Sequence, residues 1–217
     1  MPKLGMEPIR RAETINAALE CICEHGIDNI TLDMVAAKAG FSKGIVAYYF
    51  KSKKNLILES LKEFLAAYSL KIGSSIKPDM NPLQMIRTVV EVALPPLKDK
   101  SEETLNVSTL DGADKIRLPQ ERIARLFVQF IAMAAIDNDL KIIMRETYAR
   151  DVEGISLLMQ HVEKMFPQTG FDSKKSAYAL FVMIYGLSFF RVNEFMPSGC
   201  ADNREIVLEF IDNLFAT

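Results

Sequence analysis

The residues with the clearest binding chemistry lie in a short stretch, SKGIVAYY, from Ser42 to Tyr49. On an α-helix, one face of this stretch would carry a cation, two very small residues and a phenol within about 140° of arc; these are Lys43, Gly44, Ala47 and Tyr48. Small residues let a helix backbone approach base edges, and a lysine can donate to guanine O6 or N7. Tyrosine hydroxyls and backbone N–H groups at a helix start bind phosphates. The stretch therefore predicts a helix that enters the major groove of double-stranded DNA.

Three lysines follow directly and favour the same interpretation. Lys51, Lys53 and Lys54 lie around the predicted start of the next helix, where they would neutralise phosphates of the DNA backbone. The alternative is an ordinary corner between two helices of a packed core, with half-exposed tyrosines. The pattern by itself does not separate these two interpretations.

Three helices are needed to position the stretch, and the sequence contains signals for each. Apolar residues repeat at helical spacing through residues 8–25. Thr31 is a favourable N-cap for a second helix, and that helix would end at Gly40, which can adopt a left-handed backbone conformation in the turn. Ser42 would cap the third helix. Residues 1–55 are therefore predicted to form a three-helix helix-turn-helix DNA-binding domain.

The rest of the chain shows helical periodicity too, so the predicted fold class is all-α. A long connecting helix is expected at about 53–72, followed by a break, GSSIKPDMNP, that marks a domain boundary. Residues 73–217 would then form a larger helical domain. The polar segment 98–119 is expected to be a long loop with a short helical piece. Further helices are predicted at 120–136, 139–166, 173–195 and 202–215.

The two carboxy-terminal helices are candidates for a subunit interface. The segment 177–190, AYALFVMIYGLSFF, is apolar on all sides and must be buried all round. The last helix carries one broad apolar stripe over 206–215. Two such helices per subunit could form a four-helix interface across a two-fold axis; the candidate residues are Tyr185, Phe189, Phe210 and Leu214. The alternative is that both helices only fill the core of one subunit.

Aromatic side chains in the middle helices are candidates for a small-molecule pocket. Phe127, Phe130 and Tyr148 supply aromatic surface, and Asp137 or Glu146 could lie near a cationic ligand. The alternative is that these side chains form plain hydrophobic core. Since few fixed polar groups accompany the rings, the expected ligand is a moderately sized apolar or cationic molecule.

The region 31–56 resembles a known family. Its pattern, T-x-x-x-V-A-x-x-A-G-F-S-K-G-x-x-x-Y-Y-F-x-x-K-x-x-L, is similar to the DNA-binding signature of the TetR family of transcriptional regulators. The resemblance implies a homodimer that binds a palindromic operator. It also implies that the amino-terminal domain contacts the DNA and that the carboxy-terminal helices bind a small effector. Repression is expected, because a dimer on an operator blocks polymerase without further parts. The resemblance implies these DNA-contacting residues: Thr31, Ser42, Lys43, Gly44, Ala47, Tyr48, Tyr49 and Lys53.

Composition and residue counts disfavour other classes. Net charge is −2, with eight Lys/Arg against six Asp/Glu in residues 1–55 and eighteen against twenty-two in the remainder. This slightly basic head suggests a local anionic partner, whereas an architectural DNA-binding protein would be strongly basic throughout. The chain shows no secretion-signal layout and no apolar run long enough to span a bilayer, so we expect no membrane partner.

Few side chains could serve catalysis or hold a metal. The only histidines, His25 and His161, have no nucleophile motif beside them, and there is no Gly-rich phosphate loop. Cys21 and Cys23 would lie on different faces of a helix, so they are interpreted as small buried side chains, and with Cys200 they form a sparse, odd set typical of a reducing cytoplasm. We therefore expect no enzyme activity, no cofactor and a cytoplasmic location.

Overall fold

The structure is a computed structural model that describes residues 7–94, 104–108, 115–165, 167, 172–196 and 203–215. Nine helices and two strands occur within these ranges, so the all-α prediction is confirmed apart from one small hairpin. In chain order they are α1 Glu7–His25, α2 Leu32–Ala39, α3 Lys43–Phe50, α4 Lys53–Ser75, α5 Pro82–Ala93, β1 Thr104–Ser108, β2 Lys115–Pro119, α6 Gln120–Ala134, α7 Asn138–Met165, α8 Ser173–Val192 and α9 Asn203–Phe215.

The chain folds into two compact units. The first comprises Met1–Leu70 and Glu102–Met144, and the second comprises Lys71–Ser101 and Arg145–Thr217. The unit boundaries therefore fall inside α4 and inside α7. Packing groups 102–144 with the amino-terminal helices, whereas the sequence suggested a single break after the fourth helix. The functional division into 1–55 and 73–217 stays a prediction.

Local capping signals explain why several helices begin and end where they do. Thr31 accepts a hydrogen bond from the backbone N–H of Met34, and Ser52 accepts one from Asn55, at 3.2 and 3.1 Å. These contacts satisfy N–H groups that a helix start leaves without partners. Ser42 occupies the predicted N-cap of α3, but its side chain makes no cap hydrogen bond.

The first unit has an aromatic core. The ring of Phe64 on α4 lies 4.8 Å from that of Phe127 and 6.0 Å from that of Phe130, between ring centroids. Tyr68 adds a fourth ring, 4.9 Å from Phe127. All four rings are buried. Because edge-to-face and offset ring pairs are favourable beyond the burial of their area, this cluster holds α4 firmly to α6.

The second unit is held by the apolar sides of α5, α7, α8 and α9. Its core is mostly aliphatic, with one aromatic ring, and these buried side chains form it: Ile86, Val90, Leu94, Ile155, Met159, Val162, Ala177, Leu180, Ile184, Val207, Ile211 and Phe215. An ion pair between Arg87 and Asp212 joins α5 to α9 at the surface. Within this unit α8 has one buried side and one exposed side.

The expected loop at 98–119 is wrong for the part that the structure describes. Strands β1 and β2 pair antiparallel, with Thr104 opposite Pro119 and Ser108 opposite Lys115. Each strand alternates apolar and polar residues over only five positions, and the dipeptide Asp111-Gly112 lies between them in the sequence. This is a hairpin signal, but two short strands carry too little periodicity to stand out in a helical chain. Leu118 is fully buried, and β2 lies against α1 and α6.

Candidate nucleic-acid interface

The turn between α2 and α3 fixes the angle of the predicted DNA-contacting helix. Gly40 has a left-handed backbone with φ of 72°. Its N–H donates to the Ala37 carbonyl at 3.3 Å, and the N–H of Phe41 donates to the Ala36 carbonyl at 2.9 Å. This is the usual glycine-terminated helix end. A side chain at position 40 would strain the backbone, which explains the glycine.

The helix α3 has one buried side and one exposed side, as predicted. Val46 and Phe50 are fully buried. Lys43, Gly44 and Tyr48 are exposed, and Ala47 between them is half-buried. The side chain of Tyr48 is 68% exposed, which is unusual for so large an aromatic residue. The structure thus places a cation, two small residues and a phenol together on one accessible face, which we call the α3 face: Lys43, Gly44, Ala47 and Tyr48.

Gly44 is not explained by packing within the protein. Its backbone does not adopt a positive φ, and a Cβ built there would meet only Ser42 Oγ, at 3.9 Å, an ordinary contact. Gly44 is the second residue of α3, and glycine is a poorer helix former than alanine, by at most roughly 1 kcal/mol. The protein therefore has glycine at a helical position where its own fold has room for a side chain.

Tyr49 lies elsewhere than the resemblance implied. It is 9% exposed and so belongs to the buried side of α3. Its ring packs edge-on against that of Tyr48, with 5.3 Å between the centroids. The position alone could not show this, since two adjacent tyrosines point about 100° apart on a helix. In the free protein Tyr49 supports Tyr48, and its role as a DNA contact stays a prediction.

Lys43 has an acidic partner that sequence reasoning missed. Its Nζ lies 2.7 Å from Oδ2 of Asp33 in the first turn of α2, and the two side chains are 62% and 63% exposed. Ten residues separate them in sequence, and they lie on different helices, so no helical spacing rule could pair them. The contact exists because the turn at Gly40 brings the starts of α2 and α3 together.

The three lysines after α3 have different surroundings. Lys53 donates to the backbone carbonyl of Asp28 at 2.5 Å, between α4 and the loop that follows α1. Lys54 lies 3.2 Å from Asp137 and 2.5 Å from Asp139. These hydrogen bonds and charges raise the pKa of Lys54, with the contact to Asp139 contributing most. Lys54 therefore already pairs with two carboxylates of the protein, although its side chain is 56% exposed. Lys51 is exposed too.

Asp137 has a structural role rather than the ligand-binding role considered for it. Its Oδ1 accepts from the backbone N–H groups of Asp139 and Leu140, at 2.9 and 3.2 Å, where α7 begins. These bonds, led by that from Leu140, lower the pKa of the Asp137 carboxyl, and the Lys54 ammonium adds to the effect. The residue caps a helix and joins it to the start of α4.

A side chain on α6 holds the end of α1. Gln129 accepts from the backbone N–H of Ile27 at 2.8 Å and donates to the carbonyl of Ile22 at 2.9 Å. The same amide therefore satisfies a donor and an acceptor beside Gly26, where α1 ends. Arg122 adds a contact to Glu24 at 3.5 Å. The amino-terminal helices are therefore joined to α6 by direct polar contacts, in addition to their connection with α4 along the chain.

The predicted ligand-binding aromatics separate into two groups. Phe127 and Phe130 belong to the buried aromatic core of the first unit. Tyr148 lies in the second unit, with ring centroids 5.1 Å from Phe181 and 4.9 Å from Tyr185. The three predicted residues therefore do not share one cluster. Only Tyr148 is partly accessible.

The predicted interface residues lie at or near the surface of the second unit. Phe189 is 43% exposed. Tyr185, Phe210 and Leu214 are half-buried. The apolar stripe of α9 divides in two, because Val207, Ile211 and Phe215 enter the core of the unit while Ile206, Phe210 and Leu214 lie further out.

The histidines and cysteines have ordinary surroundings. His161 is exposed, and its Nδ1 lies 2.7 Å from the Leu157 carbonyl. Cys21 is buried, and burial raises the pKa of the Cys23 thiol to about 11, so little reactive thiolate forms at neutral pH. Among the described residues, no group of three or more His, Cys, Asp and Glu could hold a metal ion. Nor does any described helix have the length and apolarity needed to cross a membrane.

Comparisons with known proteins agree with this geometry. Residues 15–60 match the family model described as bacterial regulatory proteins, tetR family. The HTH-type transcriptional regulator BetI of Agrobacterium fabrum is 34% identical over 93 residues, which are 43% of this chain and 45% of that protein. BetI of Brucella suis is 35% identical over 92 residues, 42% and 46% of the two chains. The match thus spans less than half the length of these curated relatives.

Solved structures share the fold over nearly the whole chain. A TetR-family transcriptional regulator from Rhodococcus sp. is 18% identical, with a TM-score of 0.72 over 95% of this chain and 98% of its own. A transcriptional regulator from Saccharomonospora viridis, in complex with choline, is 17% identical, with a TM-score of 0.72 over 95% of each chain. At these identities the likeness establishes the fold alone.

The turn at Gly40 and the two helices beside it have the geometry of a helix-turn-helix motif. More particularly, residues 15–60 match the TetR family, so the predicted resemblance to that family of transcriptional regulators is confirmed. The opening residues, MPKLGMEPIRR, also resemble the start of the choline-responsive repressor of glycine betaine synthesis in this family. The relatives named BetI confirm that likeness over the part that they match, and they are regulators rather than enzymes.

Proposed function

We propose that the protein is a homodimeric repressor that binds a palindromic operator and is released or retained there by a small molecule. The observation that carries the DNA-binding mode is Gly44, whose small size serves no packing need of the protein. With Lys43 and Tyr48 beside it, the α3 face suits close approach to base edges in the major groove, flanked by phosphate contacts. Each subunit would place one α3 in one groove.

A second copy of the chain is the proposed partner of α8 and α9. Along α8, apolar or aromatic side chains recur at i, i+4, i+7 and i+11: Tyr178, Val182, Tyr185 and Phe189. Tyr178 is 63% exposed. On α9, Ile206, Phe210 and Leu214 repeat at i, i+4 and i+8. We call these seven residues the α8–α9 face. Exposed apolar side chains that recur along a helix are costly in water, and a two-fold axis would bury the face of both copies at once.

The effector is proposed to bind at the aromatic group of the second unit. The rings of Tyr148, Phe181 and Tyr185 lie within 5.1 Å of one another, between centroids. Asp151 lies one turn beyond Tyr148 on α7, and its partial burial raises the pKa of its carboxyl, although Arg150 acts in the opposite direction. A desolvated carboxylate beside aromatic rings favours a cation. The choline found in the Saccharomonospora viridis regulator supports a cation of this kind.

Selection from random duplex DNA tests the central proposal. We expect an enriched inverted repeat whose half-sites lie about one helical turn apart or somewhat more, roughly 34 Å or above. Lys43→Ala should then reduce affinity for the selected site by about 1–3 kcal/mol. Lys62→Ala is the matched control, because it removes an exposed lysine of α4 that pairs with Glu59. Failure to enrich any palindrome would contradict the proposal.

The effector proposal is tested with choline as the probe. Titration calorimetry with and without operator should give two different choline affinities, since coupling between two ligands is reciprocal. Tyr148→Ala should abolish the difference while effector-free operator binding stays intact, and Leu157→Ala, an exposed aliphatic on α7, should not. Choline affinity should also fall on acidification at a pH above the usual range of an aspartate, because the raised pKa lets Asp151 protonate early. Equal affinities with and without operator would exclude choline as the effector.

A further inference from the structure

The ion pair between Lys43 and Asp33 lies on the side of the domain that carries the α3 face. Its two charged atoms are 2.7 Å apart, and both side chains are more than half exposed. Exposed pairs of this kind contribute little to folding stability. An acid in the first turn of α2 also suits the helix dipole, but it places a negative charge beside a surface proposed to meet phosphates. A general DNA-binding surface gains nothing from that charge.

The pair presents one donor and one acceptor at a fixed spacing. In the major groove, the two exocyclic groups at the centre of a base pair are joined by a Watson–Crick hydrogen bond and so lie about 2.9 Å apart. One is a keto oxygen and the other an amino group: guanine O6 with cytosine N4, or thymine O4 with adenine N6. The ammonium can donate to the keto oxygen while the carboxylate accepts from the amino group. The spacing within the protein pair, 2.7 Å, matches the spacing within the base pair.

We infer that Asp33 is a specificity-determining residue, which with Lys43 recognises one base pair of each half-site as a unit. The inference rests on the proposed function, since it needs α3 in the major groove. In one orientation the Lys43–Asp33 pair can form both hydrogen bonds with G·C or with T·A. The pair favours G·C over T·A, because the Lys43 ammonium can also approach guanine N7, whereas thymine places a methyl group there. C·G and A·T are disfavoured, since the ammonium would face an amino group and the carboxylate a keto oxygen.

The test uses four variants of the selected operator, which carry G·C, C·G, A·T or T·A at the same position of both half-sites. The position chosen is the one at which Lys43→Ala changes the base preference of the protein most. The wild-type protein should bind in the order G·C, T·A, then C·G and A·T, with about a tenfold range or more per half-site. Asp33→Ala should narrow that range, mainly by strengthening binding to C·G and A·T. In the Lys43→Ala background, Asp33→Ala should have a different effect on G·C binding than it has alone, since the two side chains act together.

Two further variants separate this role from general charge effects. Glu13→Ala removes an exposed carboxylate of α1 in the same domain and should alter binding to all four sites by one common factor. Asp33→Asn keeps the shape of the side chain, but its amide can donate as well as accept. It should therefore lose the keto–amino preference with only a small loss of thermal stability. If Asp33→Ala also shifts all four sites by one common factor, the inference is overturned. A wild-type protein that enriches no site at all would instead overturn the proposed function.

Discussion

The α3 face and the α8–α9 face both expose large aromatic side chains, but their companions differ. On α3, Tyr48 lies beside a lysine and two very small residues, and an acidic side chain pairs with that lysine. On α8, Tyr178 and Phe189 continue a stripe of apolar residues without any charge among them. We assign the two surfaces to different partners because the charges and sizes of the residues around each exposed ring differ. A groove lined with phosphates needs cations and space, whereas another protein surface needs apolar area.

The largest expected effect comes from placing a charge on the α8–α9 face. Phe189→Asp should split the dimer, because the interface would have to bury a carboxylate without a partner. Operator affinity should fall about 10²–10⁴-fold, since two half-sites could no longer be engaged together. Phe189 is exposed in the single chain, so its replacement should leave the fold intact by circular dichroism. Sedimentation of this variant and the wild-type protein gives the oligomeric state directly.

The control for that substitution is Leu157→Asp. Leu157 is another exposed aliphatic residue, on α7 and outside both faces. It should leave both sedimentation and operator binding unchanged. A wild-type protein that sediments as a monomer at micromolar concentration would remove the basis for assigning the α8–α9 face to a second copy.

The next effect concerns the contacts that hold α1 to α6, rather than either face. Gln129→Ala removes two hydrogen bonds to the end of α1 and should lower the free energy of unfolding by about 1–2 kcal/mol. It should also weaken the effect of an effector on operator binding, if the contact between α6 and α1 transmits it. Gln129→Glu keeps the acceptor for Ile27 but faces a carboxylate oxygen toward the Ile22 carbonyl, so it should behave like alanine. If neither variant changed the coupling between effector and operator binding, the effect would reach the DNA-contacting helices through α4 and not through the contact between α6 and α1.

The sequence predicted the features that depend on interactions between residues close together in the chain. Thr31 and Gly40 act within four residues of themselves, so the ends of α2 were predictable. The hairpin was missed because its alternation covers five residues per strand. The burial of Tyr49 and the pairing of Asp33 with Lys43 depend on how α2 packs against α3. The contacts of Gln129 cross about a hundred residues, and nothing in a local pattern encodes such a distance.

A smaller effect should separate stability from binding on the α3 face. Gly44→Ala should raise the free energy of unfolding, by at most roughly 1 kcal/mol, because alanine is the better helix former and finds room. Operator affinity should nevertheless fall, because the added methyl group would hold the helix away from the base edges. Gly73→Ala is the matched control: it is another helical glycine with open space around it, and it should stabilise the protein without altering DNA binding. If Gly44→Ala bound the operator as tightly as the wild-type protein, close approach would not be the reason for glycine.

The smallest expected effect concerns the lysines at the start of α4, directly after α3. Lys53→Ala should weaken binding to all sequences alike and lower the slope of log affinity against log salt by about one. Lys54→Ala should change that slope less, because Asp137 and Asp139 already occupy its ammonium. Fluorescence anisotropy over a salt series measures both slopes. Equal slopes for the two variants would mean that the protein contacts seen for Lys54 are given up on DNA.

Hydroxyl-radical footprinting, with mass spectrometry of the modified side chains, tests the contrast between the two faces most directly. Ile136, 81% exposed and outside both faces, serves as the reference. We expect Tyr48 to be modified readily in the free protein and to become protected when operator DNA is added. We expect Tyr178 and Phe189 to be protected already at micromolar protein concentration, to become reactive on dilution, and to respond to dilution far more than to DNA. Equal modification of Tyr48 with and without operator, or protection of Tyr178 and Phe189 only by DNA, would contradict the assignment of the two faces.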